Sequence, residues 1–138
     1  MRRFRSESGQ SLLEFAFASV IFFATVFGIL ELGLGVYRYN MVANLAQEGA
    51  RWAAVHGSKS SSPAHLSDVT AFLTGRASGL GINVTTSSNG TSVDGPYALA
   101  SGVPITVVVR SNYMPITGFI ARSANIPLSA TATMIVSR

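Results

Sequence analysis

Residues 15–30 read FAFASVIFFATVFGIL and contain no charged side chain. With Leu12, Leu13 and residues 32–36 around it, the run supplies about 20 residues that can cross ~30 Å of hydrocarbon as an α-helix. Arg2, Arg3 and Arg5 precede it. Positive charge beside a span favours retention on the cytoplasmic side, so the remainder is expected to be translocated. Outside the span, roughly a hundred residues are left, enough for one small domain with a modest core.

Charged residues make up only 12% of the chain, because the span lowers the average. The net charge of +4 is spread over Arg38, Arg51, Lys59, Arg76, Arg110, Arg122 and Arg138, with no basic cluster beyond the first five residues. A nucleic-acid footprint would be denser, so no nucleic-acid contact is expected. There is no cysteine, which excludes disulfides, thiolate chemistry and cysteine-based metal sites.

A secretory signal would place its cleavage site after the apolar run. Here a different arrangement precedes it: Gly9, then Gln10, Ser11, Leu12 and Leu13, then Glu14-Phe15 at the mouth of the helix. This resembles the type IV prepilin signal, in which a dedicated peptidase cuts after the glycine and leaves the helix attached. The resemblance implies that Gln10 becomes the mature N-terminus. Glu14 lies one turn inside the span, where an ionised carboxylate costs about 2–3 kcal/mol or more without a partner. By the same resemblance, that partner is the free amino group of a mature N-terminus, which makes Glu14 an assembly residue beside Phe15. The alternative is a helix N-terminal acid that snorkels to the interface. An N-terminal glutamine can also cyclise and lose its amine.

Glu31 ends the apolar run, as a second ionic contact between subunits or as an interfacial charge. Gly28, Gly33 and Gly35 weaken the helix by about 1 kcal/mol each, predicting a bend or local melting. Ala24 and Gly28 have a spacing that permits close helix approach. Tyr37 and Tyr39, beside Arg38, suit the headgroup level. From Asn40 the pattern stays helical, and Ala43, Ala46, Ala50 and Ala53 form a narrow stripe against which a sheet or helix can lie. Glu48 and Arg51 are spaced for an i,i+3 pair, Trp52 reads as a core anchor, and residues 57–63 (GSKSSSP) should stop the helix.

Together these features resemble the TadE-like pseudopilins, minor pilins of the tight-adherence (Tad) branch of type IV pili. The residues that carry the likeness are Gly9 with Glu14-Phe15, Gly28 with Glu31, and Glu48-Gly49-Ala50-Arg51. Pro115-Ile116-Thr117 and the segment at 127–134 resemble the family's C-terminal end. One departure is that Ala18-Ser19-Val20 offers no early proline, which many relatives carry. The resemblance implies a single-pass protein of the bacterial cytoplasmic membrane, with a prepilin peptidase, other pilin-like subunits and a pilus assembly platform as partners beside the bilayer. Its possible places include the pilus or the pilus tip.

Beyond the turn, Ser67 is expected to cap a short helix running to Ala77, ended by Gly79 and Gly81. Strands are predicted at 82–86, 105–111 and from Leu128 to Val136, with Asn89-Gly90 turning a hairpin into a short strand at 91–93. Ile105, Val107 and Val109 share one face, as do Leu128, Ala130, Ala132, Met134 and Val136. The connection from Tyr113 to Asn125 carries Phe119 and Ile120, read as a plug over the sheet, with an exposed apolar patch as the alternative. The expected fold is α+β and pilin-like, a long transmembrane helix continuing into a small antiparallel sheet. Its expected divisions are a leader at 1–9, a span at 10–36 and an extracytoplasmic domain at 37–138.

His56 and His65 flank a loop without an acidic cluster, no serine sits in a nucleophile elbow, and Gly79 and Gly81 precede a strand rather than open a helix. No catalytic residue, metal ligand or cofactor is assigned. The leading expectation is a processed minor pilin. A signal-anchored extracytoplasmic binding module that stays out of filaments is the alternative, and an anchored enzyme has little support.

Overall fold

One helix, α1 (Glu7–Val55), runs 49 residues without interruption, a length of about 73 Å. The computed structural model describes residues 7–77, 79–88, 100–115 and 126–137. The remaining elements are α2 (Leu66–Arg76), β1 (Ile82–Ser88), β2 (Pro104–Tyr113) and β3 (Ile126–Ile135).

The local melting expected at Gly28, Gly33 and Gly35 does not occur. Three weak positions cost little beside the backbone hydrogen bonds that melting would expose in an apolar setting. Gly35 is also backed by the sheet, since a Cβ there would lie 3.8 Å from Cε1 of Tyr113.

The three strands form an antiparallel sheet in the order β1-β2-β3. Alternation decides which face is covered. Ile105, Val107 and Val109 are fully buried, and Leu128, Ala130, Ala132 and Met134 pack beside them against α1. The opposite face carries Thr85, Thr131 and Thr133, with the Thr106 and Thr133 hydroxyls 2.9 Å apart. On α1 the covered stripe is Val42, Ala46, Gly49, Ala50 and Ala53, while Ala43 is only half-buried. Small residues let the helix lie close on the sheet. The first buried side chain of the core is Val42, so the helix before it stands largely clear of the domain.

Two helix ends are secured by hydrogen bonds. At the end of α1, His56 N–H donates to the Ala53 carbonyl at 3.2 Å, and the His56 ring sits 2.8 Å from the Trp52 carbonyl through Nδ1. The Ala54 carbonyl accepts from both N–H and Oγ of Ser137, at 2.9 and 3.0 Å. Helix carbonyls that would otherwise lack partners are thereby satisfied. The cap of α2 differs from expectation: His65, not Ser67, is the N-cap residue, and its N–H donates to Oδ2 of Asp68 at 2.8 Å. Asp68 sits at the third helical position, where an acid reaches back to the cap N–H and also meets the positive end of the helix dipole.

β2 extends two residues beyond the predicted strand, so Tyr113 belongs to the sheet and not to the following connection. The Asn89-Gly90 hairpin, the strand at 91–93 and the Phe119–Ile120 plug lie outside the described residues.

Candidate assembly surface

The predicted site residues do not converge; they are strung along α1. Gly9 and Gln10 fall at the start of the helix, which begins at Glu7, and a Cβ at Gly9 would meet nothing within 4 Å. Glu14 and Phe15 are exposed one turn further on. Phe15, Ala18, Ser19, Phe22 and Phe23 line a shallow apolar groove of about 370 Å³. Leu12, Phe17, Val20, Ile21, Phe27, Ile29 and Leu32 are exposed around it, an arrangement that water would penalise and lipid or a neighbouring helix would accept. By length and composition this helix can cross a membrane. Glu14 and Glu31 are separated by 17 positions, about 26 Å along the axis, a distance comparable with the ~30 Å thickness of a hydrocarbon layer.

Glu31 marks where the domain first touches the helix. Its Oε1 accepts a 2.8 Å hydrogen bond from the hydroxyl of Tyr113, which is only 4% exposed. Arg38, two turns on, lies over the Tyr113 ring at 5.3 Å. Glu31, Gly35 and Arg38 follow i, i+4, i+7 spacing, so one helix face holds the acceptor, the gap and the cation for one tyrosine. Burial raises the phenol above its ordinary pKa, the hydrogen bond and negative charge of Glu31 add to this, and Arg38 opposes it. A phenol whose folded pKa is raised contributes stability that is complete below its unfolded pKa near 10 and is lost as pH rises through the folded value. Tyr113→Phe is therefore expected to lower domain stability by about 1–3 kcal/mol at neutral pH. The same change should flatten the alkaline limb of the stability curve, measured as melting temperature between about pH 8 and 11 in detergent. Equal curves for both proteins would remove the tyrosine from this role.

The Glu48-Gly49-Ala50-Arg51 segment sits where α2 crosses α1. Glu48 does not pair with Arg51; its Oε1 is 2.7 Å from Nε of Arg76 on α2. That contact is half-exposed and contributes about 0–1 kcal/mol. Gly49 does more, because a Cβ there would come within 2.6 Å of Cδ1 of Leu73 and 3.2 Å of its Cγ. Trp52 is half-buried on the flank of the core, stacked between His56 at 4.2 Å and Phe72 at 5.0 Å. Sequence reasoning missed the contact of Tyr113 with Glu31 and the gap that Gly49 leaves for Leu73. The period-2 run Ile105, Val107, Val109, Ser111, Tyr113 carries the signal for the first. The second falls on the same helix face as Val42, Ala46 and Ala53.

No curated protein sequence and no solved structure matches the chain. A family model does: residues 9–51 match the family described as TadE-like protein. The matched segment runs from the glycine before the apolar run, through Glu14 and Glu31, to the arginine beside the α2 crossing. Over its long helix, somewhat less than a third of its length, the chain is similar to the TadE-like family, and the match suggests a pilin-like protein associated with Tad pili.

Proposed function

We propose that the chain is a minor pilin of a Tad-type type IV pilus, cleaved by prepilin peptidase after Gly9 and assembled with other pilin-like subunits through α1. In this reading residues 1–9 are the leader, residues 10–36 span the cytoplasmic membrane with the N-terminus inside, and residues 37–138 face outward. Glu14 and the new amino group of a mature N-terminus neutralise one another in the apolar helix bundle, Phe15 packs beside them, and the subunit supports pilus biogenesis, adhesion or secretion. The observation that carries the reading is the division of α1: an apolar, largely uncovered first part with Glu14 near its start, followed by a part packed under the sheet.

The helix starts two residues before Gly9, so a cut after Gly9 would fall within its first turn. A glycine there weakens that turn by about 1 kcal/mol relative to alanine and eases the extended conformation that a peptidase needs. Because a Cβ at Gly9 meets nothing, Gly9→Ala leaves the domain intact and isolates processing. The test is the N-terminal peptide of the membrane-extracted protein, read by mass spectrometry from cells with and without prepilin peptidase. Peptidase-dependent loss of residues 1–9, abolished or slowed by Gly9→Ala, is the expected result. An intact N-terminus in both strains would leave a signal-anchored binding module outside any filament.

A further inference from the structure

Between Phe15 and Gln47 only Glu31 and Arg38 are charged, and both lie against Tyr113: Glu31 accepts the bond from its hydroxyl and Arg38 covers its ring. The ring also backs Gly35, so the end of β2 is level with residues 31–38 of α1. At that level the other sides of the helix are still apolar and bare, since Leu32, Leu34, Val36 and Tyr37 are all exposed. The strand register sets Ile126, the first residue of β3, opposite Tyr113, and Met114 follows Tyr113 directly. Both are exposed, so the end of the sheet nearest the apolar run presents two large hydrophobic side chains. β2 and β3 contain no Asp or Glu that would oppose lipid phosphates. The far end of the same strands, where Pro104 pairs with Ile135, stands nine positions and about 30 Å away.

We propose that this end of the sheet, at Met114 and Ile126, rests in the headgroup layer of the membrane that α1 spans, giving the domain a second contact with lipid. The inference rests on the reading of α1 as a membrane span. Lipid that covers Leu32, Leu34 and Val36 reaches the depth of the Tyr113 ring, and the strand ends beside that ring come to the same depth. Register alone sets this level for Met114 and Ile126, whatever residues 116–125 do. The occupant is lipid because the patch continues the bare apolar surface of the helix sideways, with no break in level. A tyrosine suits such a boundary, with its ring among apolar groups and its hydroxyl bonded to Glu31. Held at two points, α1 tilts toward the side on which the sheet lies.

The chain has no cysteine, so a nitroxide can be attached at single cysteines introduced into the full chain. Met114→Cys and Ile126→Cys test the corner, Phe22→Cys reports the span, and Ile135→Cys reports the far end of the sheet, all four positions being exposed in the parent. The labelled proteins are reconstituted in vesicles of phosphatidylethanolamine and phosphatidylglycerol. Spin relaxation is then measured with oxygen, which concentrates in lipid, and with a neutral nickel chelate, which stays in water. Oxygen should dominate at Phe22 and nickel at Ile135. At Met114 and Ile126 nickel access should be at least about threefold below that at Ile135, with oxygen access above it. Nickel access at either corner site equal to that at Ile135 would place the corner in water and overturn the proposal. Low access to both reagents at either site would overturn it as well, by showing protein over the corner, whether a second copy or the chain's own residues. Open nickel access at Phe22 would remove the span and the inference with it, whereas a lipid-bathed Phe22 with a wet Met114 sinks the inference alone.

Discussion

Leu73→Ala is expected to lower the unfolding free energy of the domain by about 2–5 kcal/mol. Leu73 is fully buried and is the side chain that α2 drives against the gap left by Gly49. Gly49 has no side chain with which to refill the space, so the cavity persists and the upper part of the range applies. For a domain of this size total stability is about 5–15 kcal/mol, and the melting temperature should fall by roughly 8 °C or more. Thermal unfolding in detergent followed by circular dichroism at a β-sheet wavelength measures it, since the free part of α1 dominates the helical signal. An unchanged transition would mean that α2 is held by something other than this contact.

Glu14→Ala is expected to insert into the membrane as the parent does and to fail in co-assembly. Removing the carboxylate makes the span more apolar, so insertion has no reason to suffer. In the proposed bundle the substitution leaves the amino group that Glu14 would neutralise without a partner, at a cost of about 2.5–3.5 kcal/mol, which corresponds to roughly 100-fold in association. Membrane fractionation checks the first half. Co-purification with other pilin-like subunits checks the second, and normal recovery would take the assembly role away from Glu14.

The fold was legible in the sequence where one physical signal dominated. An uncharged run of this length had to be helix, and the alternation of residues 105–109 and 128–136 placed the correct faces of β2 and β3 inward. Misreadings arose where two local signals competed. Ser67 is an ordinary capping residue, yet Asp68 at the third position of a helix starting one residue earlier supplies a stronger bond. Glu48 has Arg51 at i,i+3 spacing, but the crossing of α2 brings it Arg76 instead, a long-range fact that helix spacing does not contain. The gap at Gly49 belongs to the same class, because its meaning depends on which side chain arrives from another element. The glycines of the span read as weak points because propensity was weighed as it is in water. Of the proposed site residues, the sequence identified positions along one helix but not the tyrosine that meets Glu31, which comes from 82 residues away.

The seam between α1 and β3 bears on the order of events during synthesis. Ser137 closes the end of α1 on the Ala54 carbonyl across 83 positions of chain, and the stripe at 42–53 is covered chiefly by strands made long after it. At about 5–20 residues per second, Ala54 leaves the ribosome roughly 4–17 s before the residue that finishes its hydrogen bonding. During that interval the alanine stripe has no sheet to lie against, and the loop that must close is one of the longest the chain possesses. The newborn domain is therefore at its most vulnerable to proteases and to unwanted strand pairing just before β3 emerges, and it gains most of its resistance in one late step.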